Sequence, residues 1–123
     1  MSPLNIGRWI LILGLAFVFG YFGIEKFIQP LNWIGWMPKW MDGLLGMGIN
    51  AWLSIIGAGE IAIAIGLLIP IRLIQQIASV LAALHLAGIL TQIGWNDVAI
   101  RDIGLLAIAI AIPFLLSVRR EER

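Results

Sequence analysis

The sequence contains no cysteine, a single histidine and few charged residues. Without cysteine the chain forms no disulfide and has no thiol redox chemistry or thiolate metal site. One histidine among scattered carboxylates lacks the ligand spacing of a zinc centre, so we expect no metal. Charged residues make up 12% of the chain, whereas an average soluble domain has about 25%, which argues against a soluble protein. A net charge of +1 predicts no nucleic-acid partner.

Apolar residues make up 61% of the chain and are concentrated in four long runs. Each run has the about 20 residues that a helix needs to cross a hydrocarbon core of about 30 Å. The runs are continuously apolar, which excludes the alternating pattern of membrane β-barrels. We therefore predict an all-α membrane protein: one domain over residues 1–123, built as a four-transmembrane-helix bundle in contact with the lipid bilayer. The predicted helices are 9–28, 51–71, 73–93 and 100–118.

Residues 30–50 form the one sizeable loop between these runs. Trp33, Trp36 and Trp40 recur in it at spacings of three and four, which indicates a short amphipathic segment between helices one and two. Tryptophan favours the membrane interface, where its ring meets apolar groups and its N–H stays hydrated. Pro38 and Gly43 limit regular structure here. We expect the loop to lie at one face of the membrane.

The distribution of lysine and arginine predicts the orientation. One side carries Arg8, Arg72 and the basic tail, and the other carries Lys39, with Lys26 and Arg101 at helix ends. The positive-inside rule then places both termini in the cytoplasm and the tryptophan loop outside. The expected location is the cytoplasmic membrane, with the chain crossing it several times. The basic tail residues are Arg119, Arg120 and Arg123.

Polar side chains inside the apolar runs are informative, because a charge at the bilayer centre costs about 3 kcal/mol. Glu60 and His85 lie roughly 13 Å and 12 Å below the outer face on neighbouring helices, so their depths match. Five other polar residues lie in the same outer half of the predicted bundle: Glu25, Lys26, Gln92, Arg101 and Asp102. Together with Glu60 and His85 they predict an outward-facing polar pocket with Glu60 at its floor.

Small residues at helical spacing predict how the helices pack, since they let backbones approach closely in lipid. We expect Arg101 to point into the bundle, because it shares a helix face with small residues. The predicted packing faces are Ala58, Ala62 and Gly66 on helix two; Ser79, Ala83 and Ala87 on helix three; and Arg101, Gly104, Ala107 and Ala111 on helix four.

The polar cluster has two open interpretations. It is a structural network in which Lys26 and Arg101 neutralise Glu60 and Glu25, or it is a small-molecule or proton site. His85 can form a hydrogen bond across helices in either case. Aromatic side chains of helix one could wall a flat ring such as a quinone headgroup, although core packing or lipid contact explains them too. They are Phe17, Phe19, Tyr21, Phe22 and Phe27.

Several short motifs occur in an order that resembles a known family. Arg8 opens helix one; Gly20-Tyr-Phe-Gly23-Ile-Glu-Lys26-Phe27 ends it; Gly57-Ala-Gly59-Glu60 lies in helix two, before Pro70 and Arg72; Arg101-Asp102-Ile-Gly104-Leu-Leu106 opens helix four. The chain thereby resembles the DoxX family of small four-helix membrane proteins, which includes DoxD-type thiosulfate:quinone oxidoreductase subunits. The resemblance spans nearly the whole chain and picks out Lys26, Glu60, Arg101 and Asp102.

The resemblance implies an accessory or quinone- or small-lipid-binding subunit of a membrane redox or respiratory system. The sequence itself has no cysteine, haem-ligand pair or flavin motif, so we expect no intrinsic cofactor, with a quinone as the candidate ligand, and a chain that is not a complete enzyme by itself. An enzymatic role would be as part of a quinone-linked oxidoreductase. A redox protein of the membrane or its surface, or a second copy of the chain, would be the partner. A small transporter or proton-conducting bundle, and a purely structural partner subunit, stay open as alternatives.

Overall fold

A computed structural model describes residues 2–118, and in this range the secondary structure is entirely helical. Four helices are long and apolar enough to cross a membrane, which confirms the predicted all-α four-helix architecture of a multi-pass membrane protein. The long helices are α1 (Pro3–Ile28), α3 (Ile49–Leu68), α4 (Arg72–Ile93) and α5 (Asp97–Leu116). Between α1 and α3 lie the short α2 (Leu31–Ile34) and two 3-10 turns, Lys39–Met41 and Leu44–Gly46.

Capping side chains extend two helices beyond their apolar runs. Helix α1 begins at Pro3, because the Ser2 hydroxyl accepts a hydrogen bond from the Asn5 N–H at 3.2 Å and proline suits the first helical turn. Helix α5 begins at Asp97, because the Asn96 side chain accepts from the Ala99 N–H at 2.9 Å. The predictions had started both helices too late. The basic tail residues used to predict the orientation lie outside the described residues.

The four long helices form a ring in which α1 packs on α3, α3 on α4, α4 on α5, and α5 on α1. The α1–α3 contact is the most extensive of the four and the α1–α5 contact is the smallest. At one end, Arg8 and Arg72 both donate to the Val118 carbonyl, at 3.5 and 3.2 Å. We call this the terminus end of the bundle. The opposite end, which carries residues 29–48, is the loop end.

The terminus half of the bundle is filled by an apolar core. Ile12, Leu67 and Ile112 are at most 1% exposed and lie on three different helices. Large apolar side chains also cover the outside: Phe17 is 69% exposed and Leu84 is 66% exposed. Such a surface suits contact with acyl chains, and a water-soluble protein would not carry so many exposed apolar side chains.

Helices α1 and α3 approach most closely at two glycines. A Cβ added to Gly23 would lie 2.9 Å from the Gly57 carbonyl oxygen, and a Cβ added to Gly57 would lie 2.9 Å from the Gly23 carbonyl oxygen. No side chain fits at such distances, so both positions require glycine. This contact brings the neighbouring turns of α1 and α3 together and so positions the polar side chains that follow.

The predicted small-residue faces are largely wrong. Ala58 and Ala62 are exposed, and the buried face of α3 is formed by Gly57, Glu60 and Ala64 instead. Small residues four positions apart occur on several faces of an apolar helix, so this spacing alone does not identify the face that packs against a neighbouring helix. Two expectations agree with the structure in part: a Cβ at Gly66 would meet the Ala78 side chain at 3.1 Å, and Ser79 is buried, whereas Ala87 is exposed.

Candidate functional site

A buried ion pair and a neighbouring histidine join three helices in the loop half of the bundle. Lys26 Nζ on α1 lies 2.6 Å from Glu60 Oε1 on α3, and both side chains are 7% exposed. The second carboxylate oxygen, Glu60 Oε2, lies 3.0 Å from His85 Nε2 on α4. Because a carboxylate only accepts hydrogen bonds, the His85 Nε2 atom is the donor. Glu60 therefore links α1, α3 and α4 at one point.

The Lys26 ammonium has two further partners. Its Nζ atom lies 3.9 Å from the centre of the Trp33 ring and 3.5 Å from the Phe22 carbonyl oxygen. A lysine beside an aromatic face gains about 0.5–2 kcal/mol, with the larger values where water is excluded. A carboxylate, a carbonyl and a ring thus surround this charge, which offsets part of the cost of its burial.

A second ion pair lies on α5. Both Nε and Nη2 of Arg101 donate to Asp102 Oδ1, at 3.2 and 3.1 Å. The Asp102 side chain is 5% exposed, whereas that of Arg101 is 46% exposed. The guanidinium lies over the Phe22 ring of α1, 5.1 Å from its centre. Asp102 is the anchored partner of this pair and Arg101 is the accessible one.

The prediction that Arg101 points into the bundle is confirmed only in part: its side chain borders a cavity between the helices but is 46% exposed. The face that Arg101 shares with Gly104 and Ala107 is exposed, and the buried face of α5 contains Asp102 and Ala109. Helix α5 is apolar on all sides, so its sequence pattern does not fix its rotation about its own axis. Arg101 instead lies at the edge of the bundle, beside a cavity.

This cavity lies between the four long helices at the loop end, with a volume of about 250 Å³. Both ion pairs and His85 line it, and their two cations and two anions cancel in formal charge. Its other walls are apolar and aromatic, and part of the loop borders it. The apolar wall residues of the helices are Val18, Phe19, Phe22, Leu53, Ile56, Leu86, Ile89, Ile93, Val98 and Leu105; the loop contributes Asn32, Trp33, Trp36, Met37 and Pro38.

Two predicted pocket residues anchor the loop and do not line the cavity. Glu25 Oε1 accepts a hydrogen bond from Trp33 Nε1 at 3.0 Å, and Gln92 Oε1 accepts one from Trp40 Nε1 at 3.2 Å. The predicted neutralisation of Glu25 by Lys26 or Arg101 is therefore not what the structure shows. Glu25 and Lys26 are consecutive on α1, so their side chains diverge by about 100° around a helix of 3.6 residues per turn.

The aromatic side chains of α1 divide into two groups. Phe19 and Phe22 line the cavity, and the Phe19 ring centre lies 5.8 Å from that of His85. Phe17, Tyr21 and Phe27 are at least half exposed on the outer surface of the bundle. Only the first group is placed to contact a bound molecule.

Sequence reasoning missed the part that the loop plays in this site. Trp33 covers the Lys26 ammonium, and Trp36 and Pro38 border the cavity beside it. The tryptophan spacing indicated an interfacial segment but did not indicate which helix ends it covers. Among residues 2–118, no group of three or more His, Asp and Glu side chains is arranged to hold a metal ion.

No protein-family model, curated protein or solved structure matches this chain. The resemblance to the DoxX family stays a prediction from the motifs, and the cavity has to be interpreted from its own residues.

Proposed function

We propose that this chain is a DoxX-type membrane subunit that binds a quinone, or a similarly small lipid-soluble molecule, in the cavity at the loop end. The observation that carries the proposal is the convergence of two ion pairs and His85, from four helices together, on one cavity with aromatic walls. Charges inside a bilayer are expensive and mark functional sites by default. Here they surround a space that a ligand can occupy.

The size and lining of the cavity favour a single ring or a small headgroup. Its volume of about 250 Å³ is just below the about 300–1,000 Å³ of pockets that hold drug-sized ligands. Phe19 and Phe22 supply flat apolar walls, and aromatic pairs favour offset or edge-on contacts with a planar ring. A quinone ring has this shape, with oxygens at opposite edges that accept hydrogen bonds.

The polar residues have distinct roles in this proposal. Arg101 uses Nε and Nη2 on Asp102, which leaves Nη1 to donate to a quinone oxygen. Glu60 and His85 are in hydrogen-bond contact and can pass a proton between carboxylate and imidazole when a bound quinone is reduced or oxidised. Electrons would come from a redox partner, either in the membrane or at its surface.

The cellular setting is part of the same proposal. With the terminus end in the cytoplasm, the cavity lies in the outer half of the cytoplasmic membrane and the tryptophan loop faces outward. The subunit then serves a respiratory or other redox assembly as an accessory component. A second copy of the chain is an alternative partner.

A purely structural role has one observation in its favour: Glu60 already ties α1, α3 and α4 together without a ligand. The transporter alternative has less support. In the described range, apolar side chains fill the terminus half of the bundle, and the buried Gln75 and Ser79 there donate to the Leu67 and Gln76 carbonyls. A continuous polar path to that end is not formed.

Purification of the full chain, followed by lipid extraction and mass spectrometry, tests the proposal. We expect quinone to co-purify above the level of the surrounding membrane, and to be depleted in Glu60→Gln but not in Glu25→Gln, because Glu25 does not line the cavity. If the amount of quinone is the same in the wild type, in both variants and in the membrane background, the proposed function is wrong. Loss of a partner protein from Glu60→Gln, with unchanged quinone, would favour the structural role.

A further inference from the structure

The ring of helices is closed unevenly around the cavity. Between α1 and α3, the Gly23–Gly57 contact leaves no space for a side chain. Between α3 and α4, Glu60 and His85 bridge the gap at 3.0 Å. Helices α4 and α5 share a large interface, whereas α1 and α5 share the smallest of the four. The wall of the cavity is therefore weakest between α1 and α5.

Four side chains form this wall, which we call the α1–α5 seam: Val18 and Phe22 on α1, and Arg101 and Leu105 on α5. All four line the cavity, and none of the four is buried. Arg101 and Phe22 meet across the seam through a cation–π contact of 5.1 Å. Such a contact at an exposed site contributes only about 0.5–1 kcal/mol, so its separation is easy.

On the water side of the cavity, the loop is attached to the helices by specific contacts. Trp33 is hydrogen-bonded to Glu25 on α1, and Trp40 is hydrogen-bonded to Gln92 on α4. Helix α2 also packs against α3. These contacts fasten the loop to three of the four long helices. A molecule coming from water meets these loop contacts, whereas a molecule coming from lipid between α1 and α5 meets the Phe22–Arg101 contact.

The seam lies at the depth of lipid. Phe22 and Val18 precede the end of α1 by roughly 9 and 15 Å of helix, at 1.5 Å per residue. Arg101 and Leu105 follow the start of α5 by roughly 6 and 12 Å. The seam thus extends from the headgroup region towards the bilayer centre, with the guanidinium at its polar end.

We propose that the α1–α5 seam is a lateral portal, through which the cavity takes an amphiphile with a small polar head and an apolar tail directly from the bilayer. This inference rests on the proposed function, because it assumes that the cavity binds a ligand. The cavity of about 250 Å³ holds the head between the two ion pairs. The tail leaves through the seam past Leu105 and Val18 and stays among the acyl chains.

The full-length protein in lipid nanodiscs can test the portal with three probes. The first is a benzoquinone with a decyl tail, the second is the same ring without the tail, and the third is a fatty alcohol with a bromine on the carbon next to its hydroxyl group. All three quench tryptophan fluorescence, and Trp33 and Trp36 line the cavity. The Trp33→Phe/Trp36→Phe variant gives the background from the other tryptophans, so that the difference reports on the cavity.

Two sets of variants distinguish the two paths. Val18→Phe narrows the seam and Val18→Ala widens it, while Leu84→Phe adds the same bulk on a 66% exposed site of α4. The loop can be fastened separately with a bismaleimide linker in Trp40→Cys/Gln92→Cys, because the chain has no cysteine of its own. Thermal unfolding shows whether each variant is folded. If Val18→Phe does not fold, the comparison of Val18→Ala with the fastened-loop variant still distinguishes the two paths.

At equal total concentration we expect the tailed quinone to bind with about tenfold higher apparent affinity than the tail-free ring, since the tail concentrates it in the bilayer beside the seam. Val18→Phe should slow its uptake about fivefold, Val18→Ala should speed it, and the fastened loop and Leu84→Phe should leave it unchanged. Equal binding of the two quinones, with uptake stopped by the fastened loop, overturns the portal and keeps the proposed function. If only the brominated alcohol binds, and its uptake is slowed by Val18→Phe and sped by Val18→Ala, the portal is supported and the proposal of a quinone ligand is wrong. If no probe binds, both are wrong.

Discussion

Gly23 and Gly57 lie in contact across α1 and α3, three residues before Lys26 and Glu60 respectively. Residues three apart lie on the same side of a helix. The glycine contact therefore sets the spacing between the two helices that the 2.6 Å Lys26–Glu60 ion pair bridges. Because α1 and α3 run in opposite directions, Lys26 lies one turn from the contact towards the loop end and Glu60 lies one turn towards the terminus end. Backbone packing and the polar site are thus parts of one arrangement.

Gly57→Ala should destabilise the bundle by about 1–3 kcal/mol, because its Cβ would lie 2.9 Å from the Gly23 carbonyl oxygen and 3.1 Å from Lys26 Cβ. Gly59→Ala is the matched control on the same helix, since nothing lies within 4 Å of its added Cβ. There we expect a gain of about 0.5–1 kcal/mol from helix propensity. Reversible unfolding in mixed micelles measures both. Equal changes in the free energy of unfolding for the two variants would contradict the close approach of α1 and α3 at Gly57.

Glu60→Leu should cost about 3–5 kcal/mol, because it leaves the buried Lys26 ammonium without its carboxylate. Adding Lys26→Met should restore most of the loss, since an apolar pair of similar size removes both desolvation costs. Lys39→Met, on an exposed loop position, is the control for losing a lysine. A double variant as unstable as the single one would show that the two side chains are not coupled.

Asp102→Asn should destabilise the loop half of the bundle by about 1–3 kcal/mol, because the buried carboxylate accepts two hydrogen bonds from Arg101. Asp97→Asn makes the same change at an exposed position in the first turn of α5, where we expect a loss of only about 0.3–1 kcal/mol from the helix dipole. Unfolding free energies of the two variants provide the comparison. The prediction fails if the exposed site has the larger effect.

Trp33→Phe should loosen the loop, because it removes the 3.0 Å hydrogen bond to Glu25 and weakens the ring contact with Lys26. Hydrogen exchange of residues 29–48 should accelerate about tenfold, which corresponds to about 1.4 kcal/mol of local opening. Exchange in the middle of α4 and α5 should not change. Trp95→Phe is the control, because Trp95 is 79% exposed. Uniformly faster exchange would indicate global destabilisation and not release of the loop.

The class of the protein and the depth of its polar residues were predictable from sequence. Helix length and apolar content are properties of consecutive residues, and so is the rise of 1.5 Å per residue that placed Glu60 and His85 at matching depth. The pairing of side chains was less predictable. Glu25 and Lys26 are adjacent in sequence but have different partners, because one side chain faces Trp33 at the loop and the other faces Glu60 inside the ring.

The sequence by itself determined four membrane-length helices, a tryptophan-rich loop at one end and a set of ionisable groups confined to that half. Only the tertiary structure decided how each helix is rotated, and hence that Asp102 is buried while Arg101 lies at the surface. The physical reason is that helices apolar on all sides have no sequence signal for rotation. Close backbone contact, as at Gly23 and Gly57, selects the face that packs and thereby the residues that line the cavity.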